Sequence, residues 1–244
     1  GTFPLLPFAS RIRNGAFQYL GKTVRLAANN LPEVHAIHGH GWQGVWSVHR
    51  QTETSVVLEF VYEGGDWPWS YMACQTVQLQ EMVLEISLQI TNCSQEPMPV
   101  GFGLHPYFPL TQECRVDLQV SHEWLLDDEL MSDRRVSCAD RFTNGVKPAR
   151  VRLDNVYDGW DGMARITWPE NGHCLAIAAD SVFARLVAYS PGETYFCMEP
   201  VSNVPDAFNI MARGEAHHGV SIIESGEQLS GCVRFSPGAI DNGA

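Results

Sequence analysis

Hydrophobic and polar residues alternate along much of the chain, as they do in β-strands that bury one side and expose the other. The clearest example is the segment Thr76–Thr91, in which apolar residues alternate along Val83, Ile86, Leu88 and Ile90. A polar break at Gln80–Glu81 interrupts this segment. It predicts either a hairpin turn or a stretch that faces solvent.

Further segments rich in β-branched and aromatic residues predict more strands. They are Phe17–Leu26, Gly44–Gln51, Thr54–Tyr62, Arg115–Val120, Ala164–Trp168, Cys174–Ala178, Phe183–Tyr189, Tyr195–Met198 and Gly219–Phe235. Glycine and proline clusters separate them, and no window of about 12 residues follows the 3.6-residue period of a helix. The pattern predicts an all-β sandwich or barrel, with residues 1–244 forming a single domain.

Composition narrows the range of partners. With 244 residues, 45% of them hydrophobic, the chain is long enough to bury a sizeable core. Its net charge is −12, from 28 acidic and 16 basic residues, and it lacks the basic stripe that nucleic acid requires. There is neither an apolar run of about 18 residues nor a signal-peptide pattern, so we expect no membrane association.

The cysteines indicate a reducing environment. There are seven, an odd number, and no two have the C-x-x-C spacing. This argues against both a disulfide framework and a thiolate zinc site. We therefore expect scattered reduced thiols, several of them in the core, and a cytoplasmic location.

Two arginines lie in an extended segment near the start of the chain, Phe3–Phe17, which contains two prolines before them. Arg11 and Arg13 carry planar donor groups that suit sugar hydroxyls as well as anions. Ordinary surface ion pairs would explain the same residues. The spacing alone leaves their role open.

Three histidines, His35, His38 and His40, lie close together and alternate with glycines. Their spacing is found among metal ligands, but the nearest acidic residue is Glu33 and no cysteine is near. Trp42 and Trp46 follow and offer flat apolar surfaces for a sugar ring. A metal site, a sugar pocket and a structural loop all remain open for this segment.

A histidine and a glutamate are candidates for acid–base chemistry. His105 lies among apolar residues, and the following Pro106 restricts it to an extended backbone. Its ordinary pKa, near neutrality, suits proton transfer. Glu199 ends an apolar segment, where burial would raise the pKa of its carboxyl group. A buried structural histidine and a strand-end ion pair are the alternatives.

Taken in order, these segments resemble the aldose 1-epimerase, or galactose mutarotase-like, family. The segment S-R-I-R-N-G-A-F is similar to the family's Asn-Arg-Ile segment, with Ser10 replacing the asparagine and Arg11 at the position of its sugar-binding arginine. His38 in I-H-G-H-G-W falls on a substrate-binding histidine. His105 in G-L-H-P-Y-F falls on the general acid, and Glu199 in C-M-E-P on the catalytic glutamate.

A weaker match lies in the segment L-D-N-V-Y-D-G-W. Here Asp154 falls on the family's substrate-binding aspartate. Because Asp158 and Asp161 are close by, the assignment could shift to one of them. We expect Asp154 to be the site residue.

The resemblance implies a large antiparallel β-sandwich, the galactose mutarotase-like supersandwich. Family members carry several strands before the Asn-Arg-Ile segment, whereas this chain starts almost at it. Either the chain is a natural short form or its N-terminus has been lost. In both cases the family's first strands would be missing.

The resemblance also implies a function: interconversion of the α and β anomers of a free aldose, with no metal or organic cofactor. The partner would be a small-molecule sugar, and the chain would be a monomer or a weak homodimer. A hexose-6-phosphate 1-epimerase of the same fold would need a cluster of basic residues. A glycoside hydrolase with two carboxylates and a non-catalytic sugar-binding protein are further alternatives.

Overall fold

The computed structural model describes residues 1–240 and consists mainly of antiparallel strands. In chain order the strands are Pro4–Leu5 (β1), Arg11–Ile12 (β2), Ala16–Tyr19 (β3), Lys22–Arg25 (β4), Ala36–Ile37 (β5), Ser47–Gln51 (β6), Ser55–Tyr62 (β7), Tyr71–Gln80 (β8), Val83–Asn92 (β9), Met98–Val100 (β10), Gly103–Leu104 (β11), Tyr107–Pro109 (β12), Arg115–Leu118 (β13), His122–Leu126 (β14), Ser132–Ser137 (β15), Leu153–Asp158 (β16), Met163–Trp168 (β17), His173–Ala179 (β18), Arg185–Ser190 (β19), Tyr195–Val201 (β20), Ser221–Ile223 (β21) and Gln228–Ala239 (β22). One α-helix, Ala207–Ala212 (α1), and two 3-10 helices, Arg13–Gly15 and Pro169–Asn171, complete the described elements.

Two eight-stranded sheets dominate the fold. In the first the strand order is β1-β11-β20-β19-β16-β14-β15, and β12 also pairs with β20. In the second the order is β13-β17-β18-β22-β9-β8-β7-β6. Side chains of both sheets share one hydrophobic core, in which the rings of Phe108 and Phe235 have centroids 6.5 Å apart. The predicted all-β sandwich is confirmed.

The hairpin β8–β9 shows how the sequence pattern determines the second sheet. Ile86, Leu88 and Ile90 are each at most 2% exposed, because alternate side chains of β9 point into the core. The chain reverses at Glu81, where φ is +53°, and Gln80 pairs with Val83. Of the two interpretations of the polar break, the structure thus forms the hairpin turn.

Other elements differ from the sequence-based expectations. The single strand predicted over Gly219–Phe235 is instead the two strands β21 and β22, separated by a turn in which Glu227 donates its backbone N–H to the carbonyl of Glu224. The strands β14, β15 and β16 of the first sheet were not predicted. Neither was α1, which has only six residues and is too short to show a helical period.

All seven cysteines have free thiols, and three of them are buried. This agrees with the expectation of scattered thiols with several in the core. Within residues 1–240, no helix has the length and apolar character needed to cross a membrane.

Candidate active site

A cavity of about 620 Å³ lies against the first sheet. It is lined by every residue that the sequence predicted as catalytic or substrate-binding. Its predicted members are Arg11, His38, His105, Asp154 and Glu199. Aromatic side chains form much of the remaining wall, together with a few polar ones. They include Phe3, Asn30, Trp42, Tyr107, Arg152, Tyr189 and Tyr195. Polar groups that converge in a concave, partly apolar pocket are typical of small-molecule sites.

The strand register of the first sheet places the two carboxylates on one face. Glu199 in β20 pairs with Val187 in β19, and Asp154 in β16 pairs with Tyr189 in β19. Because side chains alternate along a strand, these four residues share the cavity face. Met198, one residue from Glu199, points the other way and is fully buried in the core.

His105 is held between β11 and β12 by backbone and ring contacts. The backbone N–H of His105 donates a hydrogen bond of 3.0 Å to the carbonyl oxygen of Phe3. The rings of Phe3 and Tyr107 stack against its imidazole, each with a centroid distance of 4.7 Å. The ring is therefore fixed in orientation, as a group that transfers protons must be.

His105 and Glu199 form the centre of the site. The Nε2 atom of His105 lies 3.3 Å from Oε1 of Glu199, and both residues are buried. Burial lowers the pKa of His105 to about 4. Burial, reinforced by the negative charge of Asp154, raises the pKa of Glu199 well above its ordinary value, while Arg11 acts in the opposite direction. The pair therefore holds a single proton over a wide pH range.

Arg11 and Asp154 supply opposite charges to the cavity. The Nε atom of Arg11 donates to Oε2 of Glu33 over 2.8 Å. Burial raises the pKa of Asp154, and the charges of Arg11 and Arg152 partly offset this rise. Arg11 is thus oriented by Glu33, and it is close enough to influence both carboxylates of the cavity.

His38 lines the cavity as a neutral side chain. Its Nδ1 atom accepts a hydrogen bond of 3.1 Å from the backbone N–H of Ser10. A neutral imidazole that accepts at Nδ1 carries its proton on Nε2, so His38 is a donor there. Burial, together with the neighbouring charges of His105 and Arg11, lowers the pKa of His38 well below its ordinary value.

The three clustered histidines have separate environments. The Nδ1 atom of His35 accepts the backbone N–H of Asn14 over 3.0 Å. The ring of His40 stacks on Tyr62, and its Nε2 atom lies 3.3 Å from Oδ1 of Asp66. Only His38 of the three lines the cavity. Of the three interpretations of this segment, the arrangement favours a sugar pocket over a metal site.

The neighbouring aspartates Asp154 and Asp158 occupy different places. Asp154 lines the cavity, whereas Asp158 is outside it. The Oδ2 atom of Asp158 accepts hydrogen bonds from Arg135 at 2.8 Å and from Trp124 at 3.3 Å. Because Asp158 is committed to these partners, the geometry favours Asp154 as the substrate-binding residue.

Arg13 contributes to the cavity wall without lining it. Its guanidinium group pairs with Asp127 and Glu129 in the turn between β14 and β15. Leu126 and Leu130, at either end of that turn, line the cavity. The residue that the sequence offered as a second anion-binding arginine therefore holds a loop in place.

Comparison with known proteins shows the family of the chain. A family model described as aldose 1-epimerase matches residues 2–236. The chain belongs to the aldose 1-epimerase family. The family indicates a carbohydrate epimerase or isomerase in general.

The relatives span a wide range of organisms. YphB, an uncharacterised protein of Escherichia coli K12, is 31% identical over 215 residues, which cover 84% of this chain and 73% of that protein. The crystal structure of an E. coli K12 protein thought to be an aldose 1-epimerase has a TM-score of 0.87 at 25% identity, covering 98% of this chain and 84% of the other. A galactose mutarotase-like protein from Clostridium acetobutylicum has a TM-score of 0.85 at 20% identity, over 98% and 80% of the two chains.

Several residues that line the cavity of this aldose 1-epimerase family member were not predicted from the sequence. Phe3, Tyr107 and Tyr189 lie there because of strand pairings that join distant segments. Arg152, an exposed arginine two residues before Asp154, was also missed. Alternation could have indicated Tyr107 and Arg152, since each is two residues from a predicted site residue.

Proposed function

We propose that the chain is a mutarotase that interconverts the α and β anomers of a free aldose. The observation that carries this proposal is the contact of 3.3 Å between His105 and Glu199 in a cavity with Arg11, His38 and Asp154 on its walls. Glu199 removes the proton of the anomeric hydroxyl while His105 protonates the ring oxygen. The ring opens to the aldehyde, rotates about C1–C2 and recloses with the two roles reversed.

The close approach of acid and base suits this reaction. The anomeric hydroxyl oxygen and the ring oxygen are both bonded to C1. An acid and a base within hydrogen-bond distance of each other can therefore reach both oxygens of one sugar at the same time. Only proton transfers are needed, so the mechanism calls for no metal or organic cofactor.

The pKa shifts make the reacting form of the pair scarce but strongly reactive. Burial keeps the proton on Glu199 at rest, so the proposed step starts once that proton has moved to His105. A carboxylate with a raised pKa is a stronger base, and an imidazolium with a lowered pKa is a stronger acid. Glu199 and His105 are shifted in these respective directions. Each group would contribute about 10²–10⁴-fold to the rate.

The other polar side chains would hold the ring hydroxyls. Arg11 and the Nε2–H of His38 donate hydrogen bonds, whereas ionised Asp154 accepts them. Trp42 adds a flat surface that suits the C–H side of a sugar, whereas Trp46 is outside the cavity and packs on Phe60. Donors, an acceptor and an aromatic wall thus surround one cavity.

The direct test follows the optical rotation of freshly dissolved α-D-glucose and α-D-galactose with and without the protein. Acceleration of the approach to equilibrium supports the proposal. Sugar binding without acceleration would contradict it, and would favour a non-catalytic sugar-binding protein instead.

One observation favours a second candidate, a sugar-phosphate 1-epimerase. Arg152 is exposed at the cavity, and none of the ion pairs among residues 1–240 involves it. An arginine in this position could bind an anionic substituent on the sugar. Comparing glucose with glucose 6-phosphate, in wild type and in Arg152→Gln, separates the two. A selective loss of activity on the phosphate in the variant would support the second candidate.

A further inference from the structure

The acid–base pair has a third neighbour that the proposed mechanism does not use. Cys197 lies in β20, two residues before Glu199 and on the same face, and its side chain is fully buried. The Sγ atom of Cys197, a carboxylate oxygen of Glu199 and a ring nitrogen of His105 all lie within 4.8 Å of one another. Among residues 1–240, no other three histidine, cysteine or acidic side chains approach one another this closely.

These three groups are a ligand set for a metal ion. Zinc in proteins is bound by histidine nitrogen, cysteine sulfur and carboxylate oxygen at roughly 2.0–2.3 Å, which separates neighbouring ligand atoms by about 3.3–3.8 Å in a tetrahedral site. His105 and Glu199 already have that separation, at 3.3 Å. Cys197 would have to move inward by about 1 Å at most, a shift within reach of side-chain rotation.

We propose that His105, Cys197 and Glu199 bind a thiophilic divalent cation such as Zn²⁺. A sulfur ligand favours Zn²⁺ over Mg²⁺ and Ca²⁺, which prefer sites made entirely of oxygen. The thiol proton of Cys197 and the proton held by the His105–Glu199 pair both pass to solvent as the ion coordinates. Since His105 and Glu199 line the cavity and Cys197 is fully buried, the ion enters from the cavity.

The bound ion would inhibit the reaction. A His105 nitrogen that coordinates a metal cannot deliver a proton, and a coordinated Glu199 carboxylate is a poor base. Metal and sugar would therefore compete for the site. This inhibition rests on the proposed function, whereas the metal binding does not.

Cobalt provides a readout that is independent of activity. The 244-residue chain, stripped with a chelator, is titrated with Co²⁺, and the thiolate-to-cobalt charge-transfer absorption is recorded. We expect one equivalent to saturate the band, and excess Zn²⁺ to remove it. No band in the wild type would overturn the proposal.

Two variants localise the ion. Cys197→Ser should lose the cobalt band and bind Zn²⁺ at least about 100-fold more weakly, because even outer-shell changes cost 10–100-fold. Cys93→Ser, at an exposed thiol after β9, is the matched control and should keep the band. Circular dichroism checks that each variant is folded, and Cys197→Ala serves if the serine variant is not. A band that persists without Cys197 would overturn the assignment.

Kinetics then separate this inference from the proposed function. Zn²⁺ should slow the mutarotation catalysed by wild type, and both galactose and a chelator should relieve the inhibition. A cobalt band without any mutarotation would contradict the proposed function alone. Mutarotation that Zn²⁺ leaves unchanged, in a protein without the band, would contradict the metal site alone.

Discussion

His105 and Glu199 are 3.3 Å apart in a buried position, and burial shifts the pKa of each towards its uncharged form. The chain offers an exposed counterpart. His49 and Glu59 are 3.2 Å apart in the second sheet, but His49 is 59% exposed. The same two residue types thus form a buried pair with shifted pKa values in one place and an exposed surface pair in the other.

Removing either member of the buried pair should abolish most of the activity. We expect His105→Asn and Glu199→Gln each to slow mutarotation by about 10²–10⁴-fold. The double variant should be little worse than the single variants, because the two residues act as a unit. Polarimetry provides the rates.

The exposed pair provides the matched control for these substitutions. His49→Asn and Glu59→Gln make the same chemical changes outside the cavity. They should leave the rate within experimental error of wild type. Equal losses in both pairs would show that folding, and not acid–base chemistry, had been affected.

The pH dependence of kcat/KM should be bell-shaped with a broad plateau. Below the His105 pKa of about 4 the pair gains a second proton, and Glu199 can no longer act as a base. Above the raised pKa of Glu199 the pair loses its only proton, and His105 can no longer act as an acid. A narrow optimum centred near pH 5 would contradict the shifts derived from burial.

Two substitutions should move the alkaline limb of that profile in opposite directions. The charge of Asp154 raises the pKa of Glu199, and that of Arg11 lowers it. Asp154→Asn should therefore shift the limb to lower pH, and Arg11→Gln should shift it to higher pH. Both variants should also raise KM if they bind the sugar. Shifts of the same sign would rule out this electrostatic account.

Arg13→Gln should weaken substrate binding more than it slows the chemistry. The substitution releases the β14–β15 turn, which supports the cavity wall. Exposed ion pairs contribute roughly 0.2–1 kcal/mol each, so the loss of two should raise KM by about two- to thirtyfold with kcat nearly unchanged. Arg234→Gln, which breaks two ion pairs on the second sheet, is the control. A loss confined to kcat would indicate a different role.

Glu199→Gln should stabilise the fold at neutral pH. The folded-state pKa of Glu199 lies above the ordinary value of 4.5, so wild type loses stability as pH rises from 4.5 through the folded value. The loss is about 1.4 kcal/mol for each pH unit between the two values. Thermal melts at several pH values should show the variant's advantage growing above pH 4.5. An advantage that did not change with pH would have another cause.

The sequence predicted the fold class from local alternation, and the resemblance of short motifs to a known family pointed to the five residues that the structure brings into one cavity. Alternation over Thr76–Thr91 predicted strand structure and left the hairpin as one of two alternatives, and His105 and Glu199 stood out only through that resemblance. The pattern was less informative where strands are polar, as in β15, with the sequence S-D-R-R-V-S. Such a strand is fixed by its neighbours in the sheet, which are distant in sequence.

Roles that depend on long-range contacts could not be derived from the sequence. Arg13 looked like a candidate for anion binding, but its partners Asp127 and Glu129 are more than 100 residues away. The choice between Asp154 and Asp158 likewise needed Arg135, which lies on another strand. No local pattern connects residues that meet only through the sheet.

The single proton shared by His105 and Glu199 also bears on the open-chain intermediate. When the ring opens in the proposed cycle, Glu199 has gained a proton and His105 has lost one, so the pair is electroneutral. This is the charge state that burial favours in the absence of sugar. The resting protein is thus electrostatically matched to the acyclic aldehyde. The uncharged pair would stabilise the short-lived acyclic aldehyde until the ring closes on either face of the carbonyl.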